Sequence, residues 1–342
     1  MKIARSGKVR DIYEVDVLAL TTTDRVSAYD SVLAGEVPYK GLVLQTISNK
    51  WMEKFTDIIS NHIITVDPYI LKTFGFGSEF FGRTILAKKC IMLPIECIVR
   101  GYYIPTSHSW DQYKVDGTIQ GIKLPLGLVE SEKLPEAIFT PTTKGESDLA
   151  ITYEEMKLQL SNFLYGTLGD LLASSSCPDI DTSKIFDPNY CYKLASQVAE
   201  KLRDTSLQLY NKAASYAAQK GIILADTKLE FGIRLKDTGN VATDFELVLC
   251  DEAFTPDSSR YWDAEEYEVG KTQKSMDKQF LRDYLRNELN WTGLKDGPVP
   301  EVPAEVYDKV SQIYCDIMHR LFDINIDDVV SVLSHYAKEL EG

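Results

Sequence analysis

Residues 222–251 constrain the fold of this chain most strongly. Two apolar runs flank the polar stretch 236–240, and this pattern predicts a β-hairpin. In the first run Asp226, Lys228 and Glu230 occupy alternate positions, so their side chains project from one face of the strand. Three charges on one face need partners or a ligand unless that face is simply solvated. The hairpin therefore indicates either a binding surface or an ordinary exposed face.

The second strand of the hairpin brings another acid to the same sheet. If strands 222–235 and 241–251 pair around the middle of their connection, Asp251 lies opposite Asp226, with Glu230 on the same sheet. Converging carboxylates repel one another unless a cation lies between them. Mg²⁺ takes oxygen ligands and commonly bridges carboxylates to substrate phosphates. The pattern thus predicts a magnesium site at this hairpin.

Two other segments carry cations suited to anionic ligands. Near the start, a predicted hairpin combines Gly7 with Lys8 and Arg10, and such a loop can cover nucleotide phosphates. A Pro-Asp-Ser turn at 256–258 places Arg260 at a loop tip, where it can bind a carboxylate or phosphate with two parallel hydrogen bonds. The alternatives are a basic hairpin without a ligand and a surface arginine.

The remaining pattern predicts an α+β fold built on an antiparallel sheet rather than a βαβ repeat. A long helix is expected between a cap at Asp187 and a stop at Gly221. Further strands are expected at 2–5, 12–15, 17–23 and in 84–104 with a break at Pro94, and further helices at 42–59, 304–322 and 327–340.

Composition excludes several classes of protein. The 342 residues include 37 Lys and Arg against 51 Asp and Glu, a net charge of −14, which argues against a nucleic-acid binder. The apolar runs are shorter than the roughly 18 residues of a membrane span, and the first residues lack the apolar core of a secretory signal. A cytoplasmic protein without membrane or nucleic-acid partners is therefore expected. Its length favours two domains.

Seven segments between residues 7 and 285 carry most of the polar pattern: GKVRDIY (7–13), TDRVSAYD (23–30), LPIECIVRGY (93–102), TPTTK (140–144), ADTKLEFG (225–232), DEAFTPDSSRYW (251–262) and MDKQFLRDYL (276–285). Taken together and in this order, these segments resemble the SAICAR synthetase family (phosphoribosylaminoimidazole-succinocarboxamide synthases). The resemblance implies the conversion of ATP, L-aspartate and carboxyaminoimidazole ribonucleotide (CAIR) into ADP, phosphate and the succinocarboxamide, with Mg²⁺, in purine biosynthesis.

The resemblance also implies an architecture. The expected fold has two lobes around ATP, an antiparallel-sheet N-terminal lobe and a larger α+β C-terminal lobe, similar to ATP-grasp or kinase-like proteins, followed by C-terminal helices. The expected boundaries are 1–98 for the lobe that covers the nucleotide, 99–297 for the substrate and Mg-ATP domain, and 298–342 for the helical extension.

For the nucleotide, the resemblance implies contacts along several strands. Lys88 or Lys89 is expected to contact the nucleotide, and the segment from Glu96 to Ile98 is expected to border the adenine. The residues expected over the ATP phosphates are Gly7, Lys8 and Arg10, and those expected to hold Mg²⁺ are Glu230 and Asp251.

For the second substrate, the resemblance implies a phosphate site at Arg100 and a following serine. The family's Gly-Ser pair is absent here, so that serine is Ser107 or Ser109, and the acid after the TPTTK segment is Asp148 or Glu146. The residues expected around CAIR and its reacting carboxylate are Asp226, Lys228, Arg260 and Arg282, of which Asp226, Lys228 and Arg260 are expected to be catalytic; Asp30 and Lys144 are expected on the substrate side.

Two other functions are compatible with the sequence. One is a kinase-like phosphotransferase that acts on a different acceptor. The other is a non-catalytic nucleotide-binding protein, although the retention of Lys8, Lys228, Glu230 and Asp251 argues against loss of activity. The sequence leaves the oligomeric state open.

Overall fold

The computed structural model describes residues 3–14, 17–105, 110–145, 148–168, 187–235 and 245–341. The strands are β1 Ile3–Ser6, β2 Arg10–Glu14, β3 Leu18–Thr22, β4 Arg25–Ala28, β5 Ser31–Glu36, β6 Ser60–Asn61, β7 Ile63–Thr65, β8 Thr84–Ala87, β9 Ile91–Tyr102, β10 Thr118–Ile119, β11 Ile122–Lys123, β12 Lys133–Phe139, β13 Thr142–Thr143, β14 Ile222–Leu235, β15 Phe245–Cys250 and β16 Ser259–Asp263. The helices are α1 Lys40–Lys54, α2 Pro68–Thr73, α3 Asp111–Asp116, α4 Tyr153–Phe163, α5 Pro188–Gln219, α6 Gln279–Asn287, α7 Ala304–Phe322 and α8 Ile326–Glu341.

The N-terminal sheet is antiparallel, in the order β1-β2-β3-β8-β7. Its first hairpin is closed by the backbone N–H of Gly7, which donates to the carbonyl of Arg10 at 2.7 Å. Strands β4 and β5 form a separate hairpin whose two loop residues, Tyr29 and Asp30, have φ of 48° and 61°. Two successive left-handed residues make the tight turn that suits a two-residue hairpin loop. The turn and the Gly7 loop both border the cavity described below.

The larger sheet has the order β12-β9-β14-β15-β6, and β13 and β16 pair with β9 and β14 respectively. Its described pairs are antiparallel except β15 with β6. Strand β14 therefore lies between β9 on one side and both β15 and β16 on the other. This central position explains why the alternating charges of β14 meet residues from three other strands.

The predicted strand break at Pro94 is wrong, because Pro94 lies inside β9. In the pairing with β14, Met92 faces Gly232 and Glu96 faces Glu230, so the ladder is irregular around the proline. A proline is tolerated in a sheet at such a bulge, where its missing N–H interrupts no regular ladder bond. The interruption lies instead between β8 and β9, where the chain passes from the N-terminal sheet to the larger sheet.

The β14–β15 hairpin forms as predicted, but its predicted register is wrong. Glu230 pairs with Cys250 and Leu235 with Phe245, so the centre of the connection falls later than the sequence suggested, and that connection lies outside the described residues. Asp251 consequently follows the partner of Glu230 rather than facing Asp226. Asp226 pairs with other strands.

The long helix α5 is confirmed, with the Asp187 carboxylate accepting from the N–H of Asn189 as its cap. It packs on β14 and β9. Helix α7 packs against α1, and its Tyr314 and Met318 are fully buried in the same core as Trp51. Helix α8 packs beside the N-terminal sheet.

The α+β class with antiparallel sheets and C-terminal helices is thus confirmed. The likeness to ATP-grasp or kinase-like proteins and the boundaries after residues 98 and 297 stay predictions. Among the helices described, none has the length and apolarity needed to cross a bilayer.

Candidate active site

A charged cavity of about 500 Å³ lies between the N-terminal hairpins and the face of the larger sheet. The two hairpin loops contribute Lys8 and Asp30, and the remaining wall comes mainly from β9, β14 and the segments that follow β15 and β16. The predicted site residues in its lining are Lys8, Asp30, Glu96, Ile98, Arg100, Asp148, Asp226, Lys228, Asp251, Arg260 and Arg282. Residues distant in sequence thus share one surface.

Asp226 stands between two guanidinium groups. It is the register partner of Arg100 on β9 and of Arg260 on β16, and it forms ion pairs with both, at 3.5 Å to Nη1 of Arg100. Burial lowers the pKa of Arg100 to about 10, and the charge of Arg260 acts in the same direction against the attraction of Asp226. One carboxylate opposite two cations leaves an excess positive charge, so this end of the cavity suits an anion.

Lys228 and Glu96 form a second pair next to the first. Nζ of Lys228 lies 2.5 Å from Oε1 of Glu96, whose other oxygen accepts from Oγ1 of Thr142 at 2.9 Å. Burial alone would lower the pKa of Lys228, but the nearby carboxylates, Glu96 foremost, together outweigh it and raise that pKa. A pKa raised in this way keeps the Lys228 ammonium charged. The two charges of β9, Glu96 and Arg100, each form an ion pair with a charge of β14.

Two carboxylates, those of Glu230 and Asp251, lie near each other at the opposite end of the row of β14 charges from Asp226. Glu230 pairs with Lys144, and Asp251 pairs with Arg10. Burial raises the pKa of the Glu230 carboxyl, and the charge of Asp251 raises it further. Asp251 adopts φ of 58° just after β15, so the chain turns out of the ladder at this acid.

This pair of acids fits a magnesium ion. Its oxygen donors are the type that Mg²⁺ prefers, and their mutual repulsion is what a cation would relieve. Within the described parts of the chain, no cluster of three or more His, Cys, Asp or Glu residues is placed to hold a metal. Mg²⁺ is usually held by one or two carboxylates together with substrate phosphates and water, so two acids suffice for a nucleotide-bound ion.

The rim of the cavity connects the two N-terminal hairpins. Nζ of Lys8 lies 2.7 Å from Oδ1 of Asp30, and both side chains are largely exposed. Opposite them, burial raises the pKa of the Asp148 carboxyl, with Glu96 adding to the effect. Because the rim contacts are exposed and few, we expect them to change when a ligand enters.

Some predicted residues are not part of the cavity lining. Arg10 and Glu230 adjoin the lining, because Arg10 pairs with Asp251 and Glu230 lies 3.9 Å from Nζ of Lys228; Lys144 reaches the lining only through Glu230. Nζ of Lys88 donates to the carbonyl of Asn61 at 3.1 Å, and neither Lys88 nor Lys89 belongs to the lining described above. Gly7 lies at the exposed hairpin tip, next to Lys8 in the chain. The predicted Ser107 and its alternative Ser109 lie outside the described residues, as does Glu146, the alternative to Asp148. The roles of all these residues stay predictions.

The sequence reasoning missed several wall residues. Lys278 and Asp257 line the cavity and pair with each other at 3.1 Å, and Glu252 lines it beside Asp251. All three lie within the quoted segments 251–262 and 276–285. The only signal in the sequence was a charged residue inside a segment already singled out, and charge alone does not distinguish a residue of the cavity wall from one on the protein surface.

A larger cavity, of about 700 Å³, lies elsewhere, between α6 and α7. Its lining includes the apolar Met276, Phe280 and Ile313 and contains none of the predicted site residues. Since it lacks the alternating charges of β14, the charged cavity is the candidate active site.

Comparison with known proteins agrees with this geometry. The family model described as SAICAR synthetase matches residues 3–296. A phosphoribosylaminoimidazole-succinocarboxamide synthase of Syntrophotalea carbinolica is 40% identical over 94% of this chain and 94% of its own. A solved structure, SAICAR-synthase from Saccharomyces cerevisiae complexed with SAICAR, has 32% identity and a TM-score of 0.72 over 95% of each chain. Another, a SAICAR synthetase in complex with ADP, shares the fold at 21% identity, with a TM-score of 0.55 over 94% of this chain and 98% of the other. This chain therefore belongs to the SAICAR synthetase family, ATP-dependent ligases that join aspartate to CAIR in purine biosynthesis.

Proposed function

We propose that the charged cavity is where this chain ligates L-aspartate to CAIR, with ATP at one end and CAIR at the other. The observation that carries the assignment is the face of β14, on which Asp226, Lys228 and Glu230 each meet charged partners from other strands. ATP phosphates belong at Glu230 and Asp251, where the acids can share a cation with them. The phosphate of CAIR belongs near the Arg100–Asp226–Arg260 group, which carries excess positive charge.

The reaction needs activation because a carboxylate is a poor electrophile: an attacking amine cannot expel oxide. Transfer of the γ-phosphoryl group of ATP to the CAIR carboxylate forms an acyl phosphate and releases ADP. The aspartate amine then attacks the acyl carbon, the carbon–oxygen bond to phosphate breaks, and the amine loses a proton. Catalysis of this kind depends mainly on positioning and on charge stabilisation.

The residues of this chain supply that stabilisation. Lys228 lies between the two ends, within 3.9 Å of Glu230 and 2.5 Å of Glu96, so its ammonium can face a transferring phosphoryl group. Arg260 and Arg282 line the cavity on the CAIR side. Asp226 holds Arg100 and Arg260 in place through its two ion pairs. When bound, Mg²⁺ would be held by Glu230 and Asp251 and would neutralise phosphate charge.

A coupled assay for ADP tests the function. We expect sustained ADP release over many turnovers only when ATP, CAIR and L-aspartate are all present, and none of it when any one is omitted. ADP formation with another acceptor in place of CAIR would favour a general phosphotransferase, and binding of ATP without turnover would favour a non-catalytic protein. A cytoplasmic location and the absence of nucleic-acid and membrane partners remain part of the proposal.

A further inference from the structure

A buried polar cluster lies directly behind the substrate wall of the cavity. It consists of Lys40 at the start of α1, Asp257 in the loop before β16, Lys278 just before α6, and Tyr314 in the middle of α7. Lys40 and Tyr314 are fully buried, whereas Asp257 and Lys278 also reach the cavity lining. The cluster thus joins four separate parts of the chain to one wall.

Asp257 is the centre of this cluster, and its two oxygens have different partners. Oδ2 lies 3.2 Å from Nζ of Lys40 and 3.1 Å from Nζ of Lys278. Oδ1 accepts the hydroxyl hydrogen of Tyr314. The hydrogen bond from Tyr314 therefore fixes the rotation of the carboxylate that both lysines share.

The cluster carries one more positive charge than negative. Such an excess is costly in a buried position unless an anion lies close by. Lys278 is the member through which that charge can reach the cavity, because it lines the wall beside Arg282. Burial raises the pKa of the Asp257 carboxyl, but Lys278 and Lys40 outweigh it and hold that pKa well below its usual range. The carboxylate thus stays charged.

We propose that Tyr314 is a positioning residue for the ligase reaction, which acts through Asp257 to aim Lys278 at an anionic group of CAIR or aspartate. Tyr314 lies beyond the 3–296 range that the family model matches, so the inference also gives helix α7 a part in the site. It rests on the function proposed above.

The positioning role of Tyr314 can be distinguished from simple packing, because the first depends on its hydroxyl and the second on its ring. Loss of the Tyr314 hydroxyl leaves the ring and its apolar contacts in place and frees Oδ1 of Asp257. The carboxylate can then rotate, and Lys278 loses its fixed partner. This part of the cavity wall is built around Arg260 and Arg282 rather than Glu230 and Asp251. We therefore expect loss of the Tyr314 hydroxyl to raise KM for CAIR or aspartate and to leave KM for ATP nearly unchanged.

A double-mutant cycle tests the inference, using full-length Tyr314→Phe, Lys278→Met and the double variant. We expect Lys278→Met to raise KM for CAIR or aspartate about tenfold or more, the size of one lost charge-assisted contact, and Tyr314→Phe to raise the same KM about threefold or more. If Tyr314 acts through Lys278, the double variant is no worse than Lys278→Met alone. KM for ATP should stay within about twofold in all three, a smaller change than one lost hydrogen bond produces.

Tyr307→Phe is the matched control, because Tyr307 lies on the same helix and its hydroxyl accepts only from the N–H of Gly35, at 3.3 Å, among its described hydrogen bonds. We expect its kinetics to match the wild type. Assays are run well below the melting temperature of the least stable variant, so that unfolding does not contribute. Wild-type kinetics for Tyr314→Phe, additive effects in the cycle, equal shifts for all three substrates, or the same shift in Tyr307→Phe would each overturn the inference. Absence of wild-type turnover would instead refute the proposed function.

Discussion

Arg10 and Asp251, separated by 241 positions in the sequence, form an ion pair, and Asp251 lines the charged cavity. Arg10 belongs to the N-terminal hairpin and Asp251 follows β15, so this pair joins the two sheets. Asp251 is half-buried, and burial acts to raise the pKa of its carboxyl, but the surrounding cations, Arg10 foremost, together outweigh it and lower that pKa. A carboxylate that stays ionised can bind a cation. Under the proposed function, Arg10 beside it would contact the ATP phosphates that share this cation.

Replacement of Arg10 by Met should weaken nucleotide binding selectively. A charge-assisted contact of this kind contributes about 1.5–3 kcal/mol, so we expect KM for ATP to rise by about tenfold or more, with KM for CAIR nearly unchanged. Steady-state kinetics with each substrate varied in turn measures this. Arg5→Met on the exposed β1 strand is the control and should behave as wild type. Equal KM values for ATP in the two variants would contradict a phosphate role for Arg10.

Replacement of Glu230 by Gln should abolish most turnover and leave the fold intact. The amide keeps the shape but binds Mg²⁺ poorly, so we expect kcat to fall by about 100-fold or more and the Mg²⁺ dependence to shift to higher concentration. A magnesium titration of the ADP-release rate measures both. Glu246→Gln, on the paired strand and partnered by Arg234, is the control. Near-normal activity of Glu230→Gln would refute its metal role.

Replacement of Arg100 by Lys should affect CAIR rather than ATP. Lysine keeps the charge but loses the planar group that pairs with Asp226 and donates to Oγ1 of Thr140 at 2.9 Å. We expect KM for CAIR to rise about tenfold, the cost of one lost bidentate contact. Arg234→Lys on the same sheet serves as the control. An unchanged KM for CAIR would remove Arg100 from the proposed phosphate site.

The buried carboxyl of Asp277 should make stability depend on pH. Burial raises its pKa to about 6, although the N–H groups of Gln279 and Tyr261 and the nearby arginines oppose the shift. Between its unfolded pKa, about 3.9, and pH 6, the unfolded chain loses this proton and the folded chain keeps it, so stability falls as pH rises. The contribution of this group should decrease by about 3 kcal/mol across that range and change little above it.

Urea unfolding of wild type and Asp277→Asn at several pH values isolates this effect, since asparagine does not titrate. We expect the difference in unfolding free energy between the two proteins to change with pH below about pH 6 and to level off above it. Asp283→Asn, at a half-exposed position on α6, is the control. A difference that is constant from pH 4 to 7 would show that Asp277 titrates alike in both states.

Local patterns in the sequence predicted local structure well. The Gly7 hairpin, the helix that follows Asp187 and the β14–β15 hairpin all depend on residues close in the chain, and all three are present. The alternating charges of β14 also indicated the right face. These features could be predicted because turn residues, helix caps and the alternation of side chains along a strand each depend on only a few neighbouring residues.

Features that depend on residues distant in the sequence could not be predicted in the same way. The hairpin register was wrong because Asp226 is held between β9 and β16, strands that no local pattern aligns with it. The cluster of Lys40, Asp257, Lys278 and Tyr314 was missed for the same reason, since its members come from four separate elements. A buried lysine looks the same in the sequence as an exposed one.

Crystal diffraction from the enzyme with Mn²⁺ and a non-hydrolysable ATP analogue tests the central claim most directly, because the anomalous signal locates the metal. The account predicts a metal at coordination distance, about 2.1 Å for magnesium-type sites, from oxygens of Glu230 and Asp251, with the phosphates between it and Lys8 and Arg10. A metal and triphosphate bound elsewhere, with Glu230 still paired to Lys144 and Asp251 still paired to Arg10, would contradict it.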